Sequence, residues 1–344
     1  MLEIDSAAKE VLGHQWAVDF VGRSCQAGRG VHAYLLVGPP HVGKFATALV
    51  LARSLLCGQF PACGVCRHCI LAGRRIHPDL RVLEIPPEHK TIPLRDVHEF
   101  TEGIALRPLE AARKVYILRD ADGLSDEGAN ALLKTIEEPP PAVVILLTAP
   151  SVASLPATIV SRCQVIALHS VPSERIEAHL MGVLGVPPDQ AAAIARASRG
   201  RPGWAIRAAR DRALLDERRH RATDLLRLVG ASRLDRIAYA DEMAEKWSSG
   251  AEEVRDVLEE WADIWRGIML RQEGVAPAFS DGEPADVDAA ARTLSDTAVR
   301  DALAMTLDTA SALDRNANGR LALEAYTLLL PRPRAQHMIE RPEV

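Results

Sequence analysis

Seven residues, Gly38-Pro39-Pro40-His41-Val42-Gly43-Lys44, do more than any others to limit the folds open to this chain. They follow an apolar run at 33–37 and precede a helical pattern at 45–57. A GxxxxGK string set between a strand and a helix is far more specific than the string alone. Its glycines let backbone N–H groups curl round phosphate oxygens at a helix N-terminus, and Lys44 adds a positive charge. Further strands are expected at 81–85, 115–118, 143–148 and 164–168, all near-continuous apolar runs of the kind covered on both faces of a parallel sheet. Helical patterns at 94–105 and 126–138 alternate with them. The expectation is an α/β domain with a doubly wound parallel sheet over residues 1–170.

Strand-like runs stop after Leu168, and an all-α remainder is expected. Three short helices, at 172–185, 189–199 and 202–210, form a small second segment over 171–210. A larger helical domain is expected over 211–330. Within 252–271, Val254, Val257, Leu258, Trp261, Ile264, Trp265, Ile268 and Met269 recur at three-and-four spacing, which reads as a core-facing stripe. A Pro/Gly-rich loop at 274–284 separates it from helices expected at 285–309 and 321–330. The tail over 331–344 lacks periodicity and is expected to be disordered.

Composition excludes several classes. No apolar run approaches the ~20 residues of a membrane span, and the first residues lack the basic and apolar regions of a secretory signal. Six cysteines in 344 residues are too few for a disulfide scaffold, so a cytoplasmic chain without membrane contact is expected. The net charge of −5 argues against a polycationic DNA coat. It conceals a gradient: residues 1–170 balance, 171–210 have an excess of arginine, and 211–344 are acidic. The arginines of the second segment read as a solvated face, with contact to DNA or nucleotide as the alternative.

Two losses mark the phosphate loop. The residue after the lysine is normally Ser or Thr, whose hydroxyl coordinates Mg²⁺; here it is Phe45. The acidic position at the end of a later strand is met by Asp120, but Ala121 stands where a hydrolysing site needs a glutamate to polarise water. Gly38, Gly43, Lys44 and Asp120 thus read as a degenerate nucleotide site, able to hold ATP or ADP or to stand empty, and poor at hydrolysis. Cys57, Cys63, Cys66 and Cys69 are spaced C-x5-C-x2-C-x2-C, close enough to close a tetrahedral site. Structural zinc is the expectation, with an iron–sulfur cluster or unmetallated thiols as alternatives. His68 and His77 read as surface residues beside it.

With these residues in place, the chain resembles the delta-prime family of bacterial DNA polymerase III clamp-loader subunits. The similarity rests on HAYLLVGPPHVGK (32–44), the four-cysteine insert after the phosphate-loop helix, ANALLKTIEEPPP (129–141) and LPATIVSRC (155–163), in that order. The resemblance implies an AAA+ fold with a zinc-binding insert, a helical lid and a C-terminal helical collar for oligomerisation. It implies that Arg162, with Ser161, reaches into a neighbouring subunit's ATP site as an arginine finger, for which a planar, permanently charged guanidinium is suited. The implied partners are the gamma/tau motor subunits and the delta subunit, with the sliding clamp and primed DNA met through the complex. The implied role is that of a non-motor scaffold within a DNA-directed DNA polymerase holoenzyme. The alternative is an active ATPase of the gamma/tau type. Phe45, Ala121, Ala149-Pro150-Ser151 and Gly203 each stand where the motor subunits carry an element needed for hydrolysis, and together they favour the scaffold.

Overall fold

The computed structural model describes residues 11–89, 91–104, 106–275, 286–314 and 317–333. The expected tail, apart from 331–333, and all but the first two residues of the 274–284 loop lie outside them. The chain divides into two compact units, Met1–Arg207 and Ala208–Val344.

In the first unit the elements run α1 (Gln15–Gln26), β1 (Ala33–Val37), α2 (Lys44–Cys57), α3 (Arg67–Gly73), β2 (Leu80–Leu83), α4 (Leu94–Ile104), β3 (Lys114–Leu118), α5 (Asp126–Glu137), β4 (Val143–Ala149), α6 (Ala157–Val160) and β5 (Gln164–Ala167). Three helices follow: α7 (Ser173–Leu184), α8 (Pro188–Ser198) and α9 (Pro202–Arg210). All five strands are parallel, in the order β2-β3-β4-β1-β5. The three central strands are buried along their whole length, which is why their sequences read as unbroken apolar runs. The edge strands are not: Arg81 on β2 and Gln164 on β5 face solvent, and β2 lies slightly earlier than its apolar run suggests.

Strand alternation sorts the sheet side chains into two cores. Tyr34, Leu36, Val115, Ile117 and Leu146 pack with Val18 and Val21 of α1 and Leu51 and Leu55 of α2. Leu35, Val37, Tyr116, Leu118, Ile145 and Leu147 pack on the other face with Val97 and Phe100 of α4 and Leu132 and Ile136 of α5. Helix α1 was not among the expected elements; its buried face, Ala17, Val18, Val21 and Gly22, covers α2.

The second unit is helical: α10 (Ala213–Gly230), α11 (Arg233–Ser249), α12 (Ala251–Gln272), α13 (Asp286–Thr293), α14 (Asp296–Asp314) and α15 (Gly319–Leu329). The α12 stripe forms its core: Trp261 and Trp265 are both fully buried. Trp261 stacks on Tyr239 and Tyr326 with ring centroids 5.7 and 5.8 Å away, and its Nε1 donates to the Arg221 carbonyl. The single helix expected at 285–309 is two helices, because Ser295 accepts a bond from the Ala298 N–H and starts a new one. Arg236 is buried, and its guanidinium donates to the carbonyls of Leu228 and Val229 ending α10 and of Thr327, Leu328, Leu330 and Pro331 ending α15. Among the described residues no helix is long and apolar enough to cross a membrane.

Candidate functional site

Three features converge on the first unit. The phosphate loop leaves the C-terminal end of β1, where α/β sheets bind ligands. Gly38 has φ +156°, and a Cβ there would stand 2.4 Å from the Leu168 carbonyl oxygen; Gly43 has φ +108°. Only glycine fits both. The Lys44 ammonium donates to the carbonyls of Gly38 (2.7 Å) and Pro39 (3.0 Å). The Phe45 ring lies under two guanidinium groups, Arg75 at 4.6 Å and Arg119 at 5.0 Å from its centroid. Glu84 pairs with both arginines, at 3.9 and 3.0 Å. Asp120, in a left-handed conformation (φ +53°), holds the Arg119 Nε at 3.3 Å, and its own N–H donates to Thr148 Oγ1. Position 45, next to the loop lysine, thus carries an aromatic ring flanked by ion-paired arginines in place of a hydroxyl. Ala121 is wholly buried and offers no base.

The start of α9 abuts the loop from the other side. The Gly203 N–H donates to the His41 carbonyl at 2.9 Å, and a Cβ at Gly203 would stand 2.9 Å from that same oxygen. A side chain at Gly203 would have to displace the loop. His14 is also buried against it, its Nε2 3.0 Å from the Val42 carbonyl, and burial lowers its pKa. Sequence reading missed this contact, because nothing local marks a histidine as packed on a loop so far along the chain.

The four cysteines meet. Cys57 ends α2, Cys66 caps α3, and Gly58 and Gly64, both with φ +78°, turn the chain between them. Sγ atoms lie 3.6 Å (Cys57–Cys63), 3.7 Å (Cys57–Cys66) and 3.8 Å (Cys63–Cys69) apart. A tetrahedron of thiolates about 2.3 Å from zinc has edges of about 3.8 Å. The donor set therefore fits zinc. Backbone N–H groups of Val65 and Cys66 pull the Cys63 thiol down to about 6, while burial pushes Cys69 up to about 12. Such N–H donors are the outer-shell support a metal thiolate needs.

His77 corrects its expected surface placement, for it is buried, and His68 Nδ1 lies 2.8 Å from its Nε2. With Glu110 they bring three donor residues together, yet the hydrogen bonding argues against a second metal. His77 Nδ1 accepts the Asp79 N–H at 2.9 Å, which assigns the ring proton to Nε2 and leaves no lone pair there for a cation. Glu110 is held in a two-point pair with Arg67 at 3.0 Å. Asp79 accepts from the N–H groups of Leu109, Glu110 and Ala111, so the network ties the cysteine module to the loop before β3.

Arg162 follows α6 and is half exposed. Its guanidinium contacts Glu137 Oε1 at 2.7 Å and donates to the Thr158 carbonyl (2.9 Å) and Ser161 Oγ (3.2 Å). Cys163 packs beside the core, and burial pushes its thiol up to about 12.

A parallel sheet in this order, with a glycine loop after β1 and an acidic residue after β3, defines a phosphate-loop α/β protein of the AAA+ type, with a four-cysteine insert suited to zinc. The family described as "DNA polymerase III, delta subunit" matches residues 13–172. Over that stretch the chain is similar to delta' subunits of DNA polymerase III. It is 37% identical over 186 residues to the delta' subunit of Escherichia coli, covering 53% of this chain and 56% of the relative. The delta' subunit of Pseudomonas aeruginosa is 40% identical over 136 residues, 38% of this chain and 41% of that one. A gamma subunit from Buchnera aphidicola is 33% identical over 51% of this chain and 49% of its own. The chain thus spans about half the length of the curated relatives it matches. By structure it is similar to a gamma-subunit-related protein of Thermotoga maritima, at TM-score 0.42 and 16% identity over 92% of this chain and 99% of that one.

Proposed function

We propose that the chain is a non-motor scaffold of a DNA polymerase III clamp loader, and that Arg162 completes the ATP site of a neighbouring gamma/tau-type motor subunit. The observation that carries this reading is the contrast between two sites. The chain's own phosphate loop is flanked by Phe45, Arg75 and Arg119, with Phe45 where a hydroxyl and Ala121 where a general base would be needed, whereas Arg162 stands half exposed just after α6. In the assembled complex the guanidinium would pair with oxygens of the γ-phosphoryl group and offset the charge that develops as it transfers, a contribution on the order of 10³–10⁵ in related NTPases. The scaffold binds the delta subunit on its other side, and the complex opens the sliding clamp and delivers it to primed DNA. Zinc held by Cys57, Cys63, Cys66 and Cys69 has no open coordination position, so it is structural. The segments at 171–210 and 211–330 act as lid and collar, and the protein works in the cytoplasm.

ATP turnover tests the proposal. The purified chain should hydrolyse ATP negligibly. A loader reconstituted with motor and delta subunits should be active, and Arg162→Ala should slow it at least tenfold while leaving assembly intact by gel filtration. Robust turnover by the isolated chain, abolished by Lys44→Ala, would instead establish a motor.

A further inference from the structure

The contact that holds Arg162 lies outside the SRC segment, on a different element. Glu137 is the last residue of α5, and its Oε1 stands 2.7 Å from the guanidinium. A carboxylate there is locally unfavourable, because the C-terminal end of a helix carries partial negative charge. Glu138 follows immediately, and only Lys134 among the last-turn residues is basic. Locally disfavoured placements of this kind concentrate at functional sites.

The two partners sit on elements anchored in the core. Leu132 and Ile136 bury α5 in the core, and His32, immediately before β1, lies with its Nε2 2.8 Å from the Ile136 carbonyl oxygen. Chain direction beyond α5 is fixed by Pro139-Pro140-Pro141. On the other side, Ile159 is fully buried and anchors α6, and the Thr158 carbonyl and Ser161 hydroxyl both receive the Arg162 NH1 group. Glu137 takes NH2. The two terminal nitrogens are thus held from two separate elements, which fixes the plane of the guanidinium as well as its position. Planar orientation is what a two-point contact with phosphate oxygens requires.

We propose that Glu137 is a positioning residue for Arg162: it presents the guanidinium in the plane from which it engages a neighbour's triphosphate. The inference rests on the reading of Arg162 as a finger acting in trans. Because the pair is half exposed, its bias on the arginine conformation is modest, at most about fivefold.

The test uses the reconstituted loader, with ATP as the varied substrate. Glu137→Gln should lower kcat by about two- to fivefold with KM for ATP unchanged, and the free chain's melting midpoint should stay in place. Glu137→Asp should recover part of the rate. In an Arg162→Ala background Glu137→Gln should cost nothing more, since the two residues act as one unit. A Glu137→Gln loader running at the wild-type rate, or one that slows the Arg162→Ala loader further, overturns the positioning role and leaves the finger standing. An Arg162→Ala loader with the wild-type rate overturns the finger, and the role of Glu137 with it.

Discussion

Arg236 offers the most quantitative test of how the helical unit is held together. Among the described residues, no carboxylate is a hydrogen-bond partner of its buried guanidinium. Its charge is met instead by the ends of α10 and α15. Each helix C-terminus carries roughly half a negative charge, so two of them offset about one positive charge. Burial, with Arg332 nearby, lowers the Arg236 pKa, but an arginine remains charged throughout the working range. Replacing it with methionine keeps much of the volume and removes all six contacts. The three shortest, to Leu330 (2.7 Å), Val229 (2.8 Å) and Leu228 (2.9 Å), set the cost. At about 1.5 kcal/mol each, the low end for charged donors, the loss is about 4–5 kcal/mol. For a unit of this size that corresponds to a melting midpoint about 15 °C lower. Thermal unfolding followed by the emission of Trp261 and Trp265, both buried in the same unit, measures it directly. Arg236→Lys should recover less than half of the loss, because an ammonium cannot reach two helix ends in a fork. A midpoint within about 2 °C of wild type for Arg236→Met would refute the argument that this one side chain joins α10 to α15.

Two further expectations concern the cysteine module and its attachment. Elemental analysis should find about one zinc per chain, and Cys66→Ser should lose it; iron with visible absorbance would overturn the assignment. Asp79 is pushed up by burial but pulled below its ordinary range by the stronger combined effect of the Ala111, Leu109 and Glu110 N–H donors. A depressed carboxylate contributes stability above its unfolded pKa and loses it as pH falls through the folded value. Asp79→Asn should therefore destabilise the chain by about 1–3 kcal/mol at about pH 7 and by progressively less below about pH 4 in urea titrations; an equal loss at both pH values would argue against this linkage.

What the sequence revealed follows from range. The strands β1, β3 and β4 are legible because burial on both faces leaves no polar position, and the cysteine cluster because its ligands lie within one short insert. Arg236, in the run RLDRIAYADE, looks like one more arginine on an amphipathic helix, since its partners are backbone carbonyls that no side-chain pattern betrays. His77 reads as a surface residue for the same reason: its burial depends on Asp79 and on a loop some thirty positions away. Glu137 is visible in IEEPPP only as a charge before a proline stop. Its contact with Arg162 exists because α5 and α6 are brought together in the fold. The break at Ser295 was within reach, for a serine at the start of a helical run is a stop-and-start signal.

The stacking of Phe45 bears on descent. A lineage that loses a metal-binding hydroxyl can in principle regain it by one codon change. At position 45 one change would disturb more than the residue replaced. A hydroxyl at 45 would take away the ring that Arg75 and Arg119 share and leave two like charges beside each other, both paired with Glu84 and Arg119 also with Asp120. An arginine at Gly203 would meet the His41 carbonyl before it could reach any phosphate. If the chain is the non-motor scaffold proposed above, gaining motor activity would therefore demand several coordinated replacements at 45, 75, 119 and 203.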